Sequence, residues 1–408
     1  MVAKSPTNFI ANSLTAFSPE FWAAKAQETF LKESIALGIA NTELRADLTM
    51  GISVHKPYGS YPRVQTYTKG TAVTIKDIST TDEYLEVNTA KVAPFYVDEL
   101  DKVQNKWDVA SEWASIAGRQ LSNVLDQAVI GEYTNAGTTL TGASIGEAAG
   151  GIVMSAANTA NIFTAAGRVL NSKKRLGGER FALIGPRMLE TIQQYVGGRE
   201  TGFGDTVSDN GKVANRFGFG LRLSNNLPFT ATLTTSVIPV AGDTITINGV
   251  VLTAAASGAA TAAGEFSIGA NAAAATANIV GIINDSLTPG ATTYIALSAE
   301  NRQLLEESGI VATDNTTNVG VVAYGDIVVS ETITSATDVW SDQFQYALVG
   351  QVGSIDLVTQ IAPTVVFKEV PDKLGKNVLP YTFYGKKTFE RMKGNLVAIK
   401  FDVSSWVA

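Results

Sequence analysis

The chain contains a serine at a spacing that hydrolases use. Gly142-Ala-Ser144-Ile-Gly146 matches the GxSxG pattern, in which the nucleophilic serine stands on a sharp turn between a strand and a helix. That chemistry needs a histidine that follows the serine in the chain, whereas the only histidine, His55, precedes it. The residues around the motif are also typical of a loop. We therefore interpret GxSxG here as a coincidence.

A second hydrolase-like spacing, SxxK, occurs at Ser53-Val-His55-Lys56. It lies in a segment interrupted by Gly and Pro instead of opening a helix, and the SDN and KTG motifs that accompany SxxK elsewhere are missing from the sequence. One histidine and no cysteine cannot form a usual zinc site, and the 38 acidic residues show no calcium-loop pattern. We predict no catalytic residue, no metal site and no cofactor, and expect the protein not to be an enzyme.

The composition predicts a folded protein of two or three domains. The chain has 408 residues, of which 45% are hydrophobic and 17% are charged. Its net charge of −7 argues against general binding to nucleic-acid phosphates. The N-terminus lacks the apolar core of a secretory signal, and the uncharged run 244–264 is mostly Ala, Thr, Ser and Gly. We predict neither a secretory signal nor a membrane span.

The segment from Val97 to Tyr133 predicts an unusually long helix. Its apolar residues recur at steps of three and four, which places them on one stripe of a helix: Leu100, Val103, Trp107, Ala110, Ala114, Ala117, Leu121, Val124 and Ala128. Asp98 is a suitable N-cap, and Gly131 is a suitable stop. A helix of this length spans roughly 54 Å, which is typical either of a strut or of a long helix that lies across a large core.

The segment before this helix predicts a long antiparallel hairpin. Residues 50–97 alternate apolar and polar side chains at Val73, Ile75, Leu85 and Val87, between Gly and Pro punctuation. A hairpin this long is poorly stable alone, so it needs a surface to lie on. Upstream, residues 1–18 are polar and aperiodic, which indicates an arm, and residues 19–37 predict a helix that stops near Gly38.

The segments after the long helix predict a mixed α/β region. Residues 159–176 predict a second helix, 181–184 a short buried strand, and Pro186 the start of a further helix. The chain ends with strand signals, including a pair of strands separated by Lys393-Gly394.

The composition changes between Val237 and Ser335. Nine acidic residues there face one basic residue, Arg302, so the segment carries about −8 and the remainder of the chain about +1. It has its own predicted hairpin at Asn248-Gly249 and its own helices, near 272–286 and 299–308. We interpret 237–335 as an inserted module that folds independently. We expect its two ends to lie close together, and we expect a short linker to replace it without loss of the host fold.

The order of these elements resembles the major coat proteins of tailed double-stranded DNA bacteriophages, the HK97-like fold, in the branch with an inserted domain. FYVDELDKVQNKWDVASEWA resembles the spine helix of that family, and the hairpin before it resembles the extended E-loop. Phe181 to Pro186, Ser224 to Pro228 and the closing YGKKTFERMKGNLVAIKFD resemble its central and peripheral parts. No single motif is diagnostic, because the order of the elements carries the resemblance.

The resemblance implies an α+β fold divided into seven parts. They are an N-terminal arm and helix (1–48), the E-loop hairpin (49–96), the P-domain with the spine helix (97–180), the first part of the A-domain (181–236), the insertion domain (237–335), the second part of the A-domain (336–365) and the closing P-domain strands (366–408). Some members join their subunits through a Lys–Asn bond. Lys69 and Asn395 have the required types, but we assign no cross-link.

The resemblance also implies a function. The chain would assemble with itself, as hexamers and pentamers, into an icosahedral shell in the host cytoplasm and reside in the virion. Its partners would be a scaffolding protein, a portal and packaged double-stranded DNA, bound on the inner face without sequence specificity. The alternatives are an encapsulin-like compartment shell, and a surface-layer or adhesin protein, which would need an export signal.

Overall fold

The computed structural model describes residues 35–45, 51–75, 77–100, 109–173, 178–198, 215, 217–334, 339–370 and 374–404. The predicted arm, 1–18, lies outside these ranges. So does the predicted helix at 19–37, except for its last three residues. The helices described are α1 (Ala36–Ile39), α2 (Val109–Ile130), α3 (Ala156–Ser172), α4 (Pro186–Gly197), α5 (Ala272–Asn284), α6 (Ala299–Glu307) and α7 (Glu390–Lys393).

The strands fall into three larger sheets and two short pairs. They are β1 (Ser53–His55), β2 (Tyr58–Gly59), β3 (Thr80–Thr81), β4 (Tyr84–Glu86), β5 (Thr89–Val92), β6 (Phe95–Asp98), β7 (Thr138–Leu140), β8 (Ile152–Val153), β9 (Arg180–Ile184), β10 (Gly220–Leu223), β11 (Pro228–Thr234), β12 (Thr244–Ile247), β13 (Val250–Ala255), β14 (Glu265–Ser267), β15 (Val311–Asp314), β16 (Asn318–Tyr324), β17 (Val329–Glu331), β18 (Trp340–Gln351), β19 (Asp356–Glu369), β20 (Gly375–Lys387) and β21 (Leu396–Asp402).

The main sheet has nine strands in the order β10-β9-β18-β11-β16-β15, with β21 beside β18 and with β7 and β8 beside β21. The central strands β9 and β21 are nearly continuous apolar runs and are buried along most of their length. Such runs are typical of strands that are covered on both faces. The predicted strand at 181–184 and the predicted helix at Pro186 are both confirmed, the latter with Pro186 in its first turn.

A second sheet contains the two longest strands described, β19 and β20, which pair antiparallel from Asp356↔Lys387 to Glu369↔Lys376. The strands β5 and β6 pair with β20 on its other side. The helix α2 lies against β20 and β19. At its end, Lys386 of β20 lies 3.4 Å from Glu132 and donates to the carbonyl of Ala128. The long helix is therefore tied to this sheet by packing and by charge.

The long helix is confirmed where the structure describes it, with two differences from the prediction. Val97 and Asp98 belong to β6, so the helix does not begin at Val97. Asp98 still caps the following turn, because its Oδ1 accepts from the backbone N–H of Leu100 at 2.9 Å. At the other end, Gly131 begins a 3₁₀ turn, which confirms the predicted stop. Residues 101–108 lie outside the described ranges.

The predicted hairpin is confirmed between Ser53 and Glu86, whereas residues 89–97 of the predicted range pair with β20 in the second sheet. Its base pairs β1 with β4, from Ser53↔Glu86 to His55↔Tyr84, and β2 with β3, as Tyr58↔Thr81 and Gly59↔Thr80. Leu85 and Val87 are buried, as their alternation predicts. Val73 and Ile75 alternate in the same way but are exposed.

The predicted insertion, 237–335, is divided between two sheets. The strands β12, β13, β14 and β17 form a four-stranded sheet of their own, and the Asn248-Gly249 turn has the positive φ values expected of it. However, β15 and β16 belong to the main sheet, where β16 pairs with β11 along seven residues, from Pro228↔Tyr324 to Thr234↔Asn318. The chain therefore leaves the main sheet, returns to it and leaves again before β18. The range 237–335 does not coincide with one separate unit.

The two ends of this segment lie close together, as expected. Asp243 accepts from the Thr334 hydroxyl at 2.8 Å, and the backbone N–H of Thr234 donates to the carbonyl of Val339 at 3.2 Å. The helix α5 covers the outer edge of the main sheet. There, the Asn284 side chain both donates to the carbonyl of Ala312, at 2.7 Å, and accepts from its N–H, at 2.9 Å.

The single cation of this segment has a structural role. Arg302 donates to the carbonyls of Ile282 and Ile283 at 2.7 Å each, which are among the last carbonyls of α5, and its guanidinium lies 3.9 Å from Asp285. These carbonyls have no partner within the helix, so a cation there satisfies them and complements the helix dipole.

We expect Arg302→Ala to lower the free energy of unfolding by about 2 kcal/mol, because hydrogen bonds from a charged group are lost. Urea unfolding followed by circular dichroism measures the change. Gln303→Ala, on the exposed side of the same helix, is the control and should change stability by less than about 0.5 kcal/mol. Equal effects of the two substitutions would contradict this role of Arg302.

The closing strands differ from the prediction. The strands on either side of Lys393-Gly394 do not pair with each other: β20 stays in the second sheet, whereas β21 crosses to the main sheet and pairs with β18 from Phe344↔Asp402 to Gly350↔Leu396. In the same way, β18 and β19 lie in different sheets, so the chain changes sheet near residue 355 rather than near 365.

Candidate assembly surfaces

The residues of the two hydrolase-like motifs make contacts that stabilise the fold. Ser144 is in a 3₁₀ turn, Gly142–Ile145, where its Oγ accepts from the backbone N–H of Thr141 at 3.1 Å. Lys56 of the SxxK spacing points to Asp356, 3.5 Å from its carboxylate. Neither arrangement is the strand–turn–helix or helix-opening geometry that the corresponding enzymes need.

A contact that the sequence did not reveal joins His55 to Asp82. His55 Nδ1 lies 2.7 Å from Asp82 Oδ2, and Ser53 Oγ lies 3.4 Å from His55 Nε2. This order of contacts is that of a serine hydrolase triad, but His55 and Asp82 are more than half exposed on the hairpin. Triad catalysis relies on a sheltered site with preorganised oxyanion donors. We therefore interpret the contact as support for the pairing of β1 with β4.

The base of the hairpin is held by residues at the end of β20 and in α7. Leu85 and Val87 pack with Val358 and Phe389 in a small second core. Lys387 donates to the carbonyl of Tyr84 at 2.8 Å and lies 3.5 Å from Glu83. These contacts fix the orientation of the hairpin base relative to the second sheet.

Arg391 extends this attachment along the hairpin. Its guanidinium lies over the rings of Tyr58 and Tyr61, 5.0 and 4.8 Å from their centroids, and donates to the carbonyl of Gly59. Such cation–π contacts are individually modest. They hold the hairpin as far as Tyr61.

Beyond this point the hairpin is exposed. All described residues from Ser60 to Asp82 lie on the surface, and they include the apolar side chains of Val64, Tyr67, Val73, Ile75 and Ile78. Val64 is 96% exposed and Ile75 is 90% exposed. An exposed apolar surface of this kind marks a site of association. We call residues 61–78 the distal hairpin.

The N-terminal segment, the hairpin and the second sheet meet at Asp356. Its carboxylate is 1% exposed, accepts from the Asn41 side chain at 2.7 Å and lies 3.5 Å from Lys56 Nζ. The backbone of Asn41 also pairs with Ile355 and Leu357, at 2.7 and 2.9 Å. The Asp356 carboxylate therefore contacts both the N-terminal segment, at Asn41, and the base of the hairpin, at Lys56.

Burial raises the pKa of Asp356 above its usual value of 3.8, although Lys56 and Asn41 oppose the shift. The folded state then binds a proton more readily than the unfolded chain, so this group lowers stability as pH rises from 3.8 through its folded pKa. We expect the wild-type protein to lose free energy of unfolding relative to Asp356→Asn as pH rises through this range.

Urea unfolding of both proteins between about pH 4 and pH 7, the range above the ordinary carboxyl pKa, measures this difference. Lys56→Met is the matched variant, because the loss of the cation should raise the pKa further and enlarge the difference. Parallel stability curves for the wild type and Asp356→Asn would show that Asp356 titrates normally.

A buried carboxylate on α2 also contacts the N-terminal part of the described chain. Asp126, which is fully buried, accepts from the backbone N–H of Ile35 at 2.7 Å and from Asn226 at 2.9 Å. Ile35 therefore lies beside the long helix. Among the residues that the structure describes, no group of three metal-ligating side chains occurs, and no helix is long and apolar enough to cross a membrane.

No protein family matches the sequence, and no curated protein does so either. The solved structures give clear matches along nearly the whole chain. A chain from Mycobacterium phage Che8 is 14% identical, with a TM-score of 0.55 over 94% of this chain and 96% of that one. A chain from the capsid structure of cyanophage P-SCSP1u is 13% identical, with a TM-score of 0.53 over 95% and 94%.

A chain from the capsid asymmetric unit of cyanophage Pam1 is 10% identical, with a TM-score of 0.51 over 96% of this chain and 98% of that one. Identities this low establish the fold alone. The mixed helices and strands of the chain match these structures over 94–96% of its length, in the fold class that the sequence predicted. The protein has the α+β, HK97-like fold of tailed-phage capsid chains.

Proposed function

We propose that the protein is the major capsid protein of a tailed double-stranded DNA bacteriophage, which self-assembles into the icosahedral shell around the genome. The observation that carries the proposal is the distal hairpin. It exposes apolar side chains that the chain cannot cover itself, on a fold shared with phage capsid chains. A second copy supplies the missing surface, so the structure is completed only by assembly.

The same proposal gives the chain its other partners. Hexamers and pentamers form in the host cytoplasm with a scaffolding protein and a portal, and the finished shell holds DNA on its inner face without sequence specificity. The protein then resides in the virion and acts as a container, not as an enzyme. An encapsulin-like shell is less well supported, because the solved structures described above come from phages.

The acidic segment 237–335 faces outward in this proposal. DNA carries one negative charge per roughly 1.7 Å of its axis, so a segment of about −8 on every subunit would repel DNA if it lined the lumen. Protease accessibility in DNA-filled particles tests this placement. Protection of the segment there would contradict it.

Electron microscopy of the purified chain, alone and with a candidate scaffold, tests the main proposal. We expect closed shells or large regular oligomers. Mass photometry gives the same answer in solution, and we expect deletion of residues 1–18 to impair assembly more than folding. A full-length chain that stays monomeric and folded at high concentration, with scaffold present, would refute the proposal.

Gly118 provides a test of how the long helix behaves in the shell. A glycine inside a helix costs about 1 kcal/mol relative to alanine. A methyl group added at Gly118 would meet no atom of the described residues within 4 Å, so packing within one copy does not require the glycine. We propose that Gly118 lets the helix bend while the shell expands.

We expect Gly118→Ala to stabilise the isolated chain by up to about 1 kcal/mol and to slow shell expansion. Gly167→Ala in α3 is the matched control, because that glycine also has open space around its α-carbon and lies in a helix. It should give a similar gain in stability with unchanged expansion. Time-resolved light scattering measures expansion, and equal rates for both variants would remove the proposed role.

A further inference from the structure

A cavity of about 380 Å³ lies where the main sheet meets the four-stranded sheet of the acidic segment. Its wall takes Pro186 from α4, Asn248 from the turn between β12 and β13, Glu307 from α6, and Asp326 and Ile327 from the chain between β16 and β17. A ligand in this cavity would therefore contact both sheets.

The wall of the cavity is negatively charged. Asp326 and Glu307 line it and are half-buried, and neither forms an ion pair with a cation of the described residues. The helix α6 ends at Glu307 with no basic residue in its last turn, so the negative end of the helix dipole adds to the potential. The cavity therefore favours a cationic ligand.

The inner end of the cavity contains an acceptor without a donor. Gln345 is 1% exposed, and its Nε2 donates to the carbonyl of Gly325 and to Asp326 Oδ1, at 3.0 Å each. These two bonds fix the orientation of the amide. Its Oε1 is buried and has no hydrogen-bond partner among the described residues. Because an unsatisfied buried acceptor costs free energy, a ligand that donates to this oxygen is favoured.

Gly185 leaves open the space beside this oxygen. A β-carbon at Gly185 would lie 3.5 Å from Gln345 Oε1 and 3.9 Å from Asp326 Oδ1, so that point is close to both acceptors. Gly185 immediately precedes Pro186, which lines the cavity. The two acceptors therefore lie together at the side of the cavity where α4 begins.

The remaining wall suits an alkyl chain. Pro186, Leu304 and Ile327 line it, together with Tyr324. Leu304 is 38% exposed, so apolar surface remains accessible at the outer part of the cavity. A ligand with a cationic end and an apolar stem matches both parts.

We propose that this cavity binds an alkyl ammonium group, with its nitrogen at Gln345 Oε1 and Asp326 and its alkyl chain against Leu304 and Ile327. An ammonium group has three N–H donors and no acceptor, so it can satisfy both oxygens at once. Free amines and lysine side chains both carry this group. The chain has no lysine between Lys212 and Lys368, so a lysine in the cavity would come from outside this region.

A ligand-detected NMR titration of the full-length chain with n-butylamine tests the site. At neutral pH the amine is charged, since such groups have a pKa of about 10.4. The neutral analogue n-butanol has a similar shape and should bind at least about tenfold more weakly, because it brings no charge to the two acceptors.

Two variants locate the binding. Asp326→Asn should weaken n-butylamine binding at least about tenfold, because the charge is lost while the shape is kept. Gly185→Ala should weaken it by filling the space beside Gln345 Oε1 without changing any charge. Glu300→Gln, on the exposed start of α6, removes the same charge outside the cavity and should leave binding unchanged.

Three results would overturn the proposal: no binding of n-butylamine to the wild type, equal binding of n-butanol, or equal losses in Asp326→Asn and Glu300→Gln. Circular dichroism shows whether each variant is folded. The comparison of the two ligands uses the wild type alone, so it decides the matter even if a variant does not fold.

Shell assembly in the presence of n-butylamine distinguishes the two sources of the ammonium group. If a lysine of another subunit occupies the cavity, the amine should raise the protein concentration needed for assembly, and Gly185→Ala should do so without the amine. If a free amine is the ligand, neither change should alter assembly. Only this last measurement rests on the proposed function, so failure of the chain to assemble would leave the binding result standing.

Discussion

Replacement of residues 61–78 by an Asn-Gly turn is expected to abolish shell formation and to leave the monomer folded. Ser60 and Ser79 already lie side by side, because the N–H of Ser60 donates to the carbonyl of Ser79 at 2.8 Å. A two-residue turn can therefore close the ladder that Tyr58↔Thr81 and Gly59↔Thr80 begin. All the described residues among those removed are exposed in the isolated chain.

Circular dichroism and mass photometry measure folding and assembly on the same sample. The substitution pair Val64→Ser and Ile75→Ser is the milder variant, because it keeps the hairpin and removes only its two most exposed apolar side chains. It should weaken assembly while changing the stability of the monomer by less than about 0.5 kcal/mol. Normal shells from the shortened chain would show that another surface joins the subunits.

Replacement of residues 237–335 by a short Gly/Ser linker is expected to prevent folding. This outcome is opposite to the one that composition suggests, because the replacement removes β15 and β16 from the main sheet. The buried residues Val319, Val321 and Ala323 of β16 would be lost, and their neighbours on β11 would be uncovered. Loss of these buried side chains, with the exposure of their neighbours, costs several kcal/mol, which is comparable to the 5–15 kcal/mol of a typical domain.

Soluble yield, circular dichroism and the cooperativity of urea unfolding decide this prediction. The chain with the Asn-Gly turn is a suitable control, since it also lacks a continuous segment but keeps every strand of the main sheet. A folded product with a cooperative transition would show that the main sheet tolerates β11 as an edge strand. That outcome would support the interpretation of 237–335 as a module that the rest of the chain does not need in order to fold.

The difference between these two segments shows what the sequence can predict. The hairpin at Asn248-Gly249, the cap at Asp98, the stop at Gly131 and the start at Pro186 follow from residues within a few positions of each other. Such local features were predicted correctly. The order of elements along the chain also sufficed for the fold class.

Contacts between distant residues were not predictable in the same way. Asp356 joins Asn41 and Lys56, which are about 300 positions away along the chain, and no pattern near any of them indicates the others. Likewise, β21 pairs with β18 and not with β20, and no local pattern in these strands indicates this partner. The buried face of α2 was predicted only in part, because Val124, assigned to the buried stripe, lines a surface cavity, while Leu125 and Val129 are buried.

The Asn284 amide beside Ala312 has a consequence for the fate of newly made chains. Its two hydrogen bonds satisfy the outward N–H and C=O of an edge strand in the way that an added strand would. Strand-by-strand polymerisation into amorphous sheets is therefore blocked at this edge, even when many copies accumulate in a small volume.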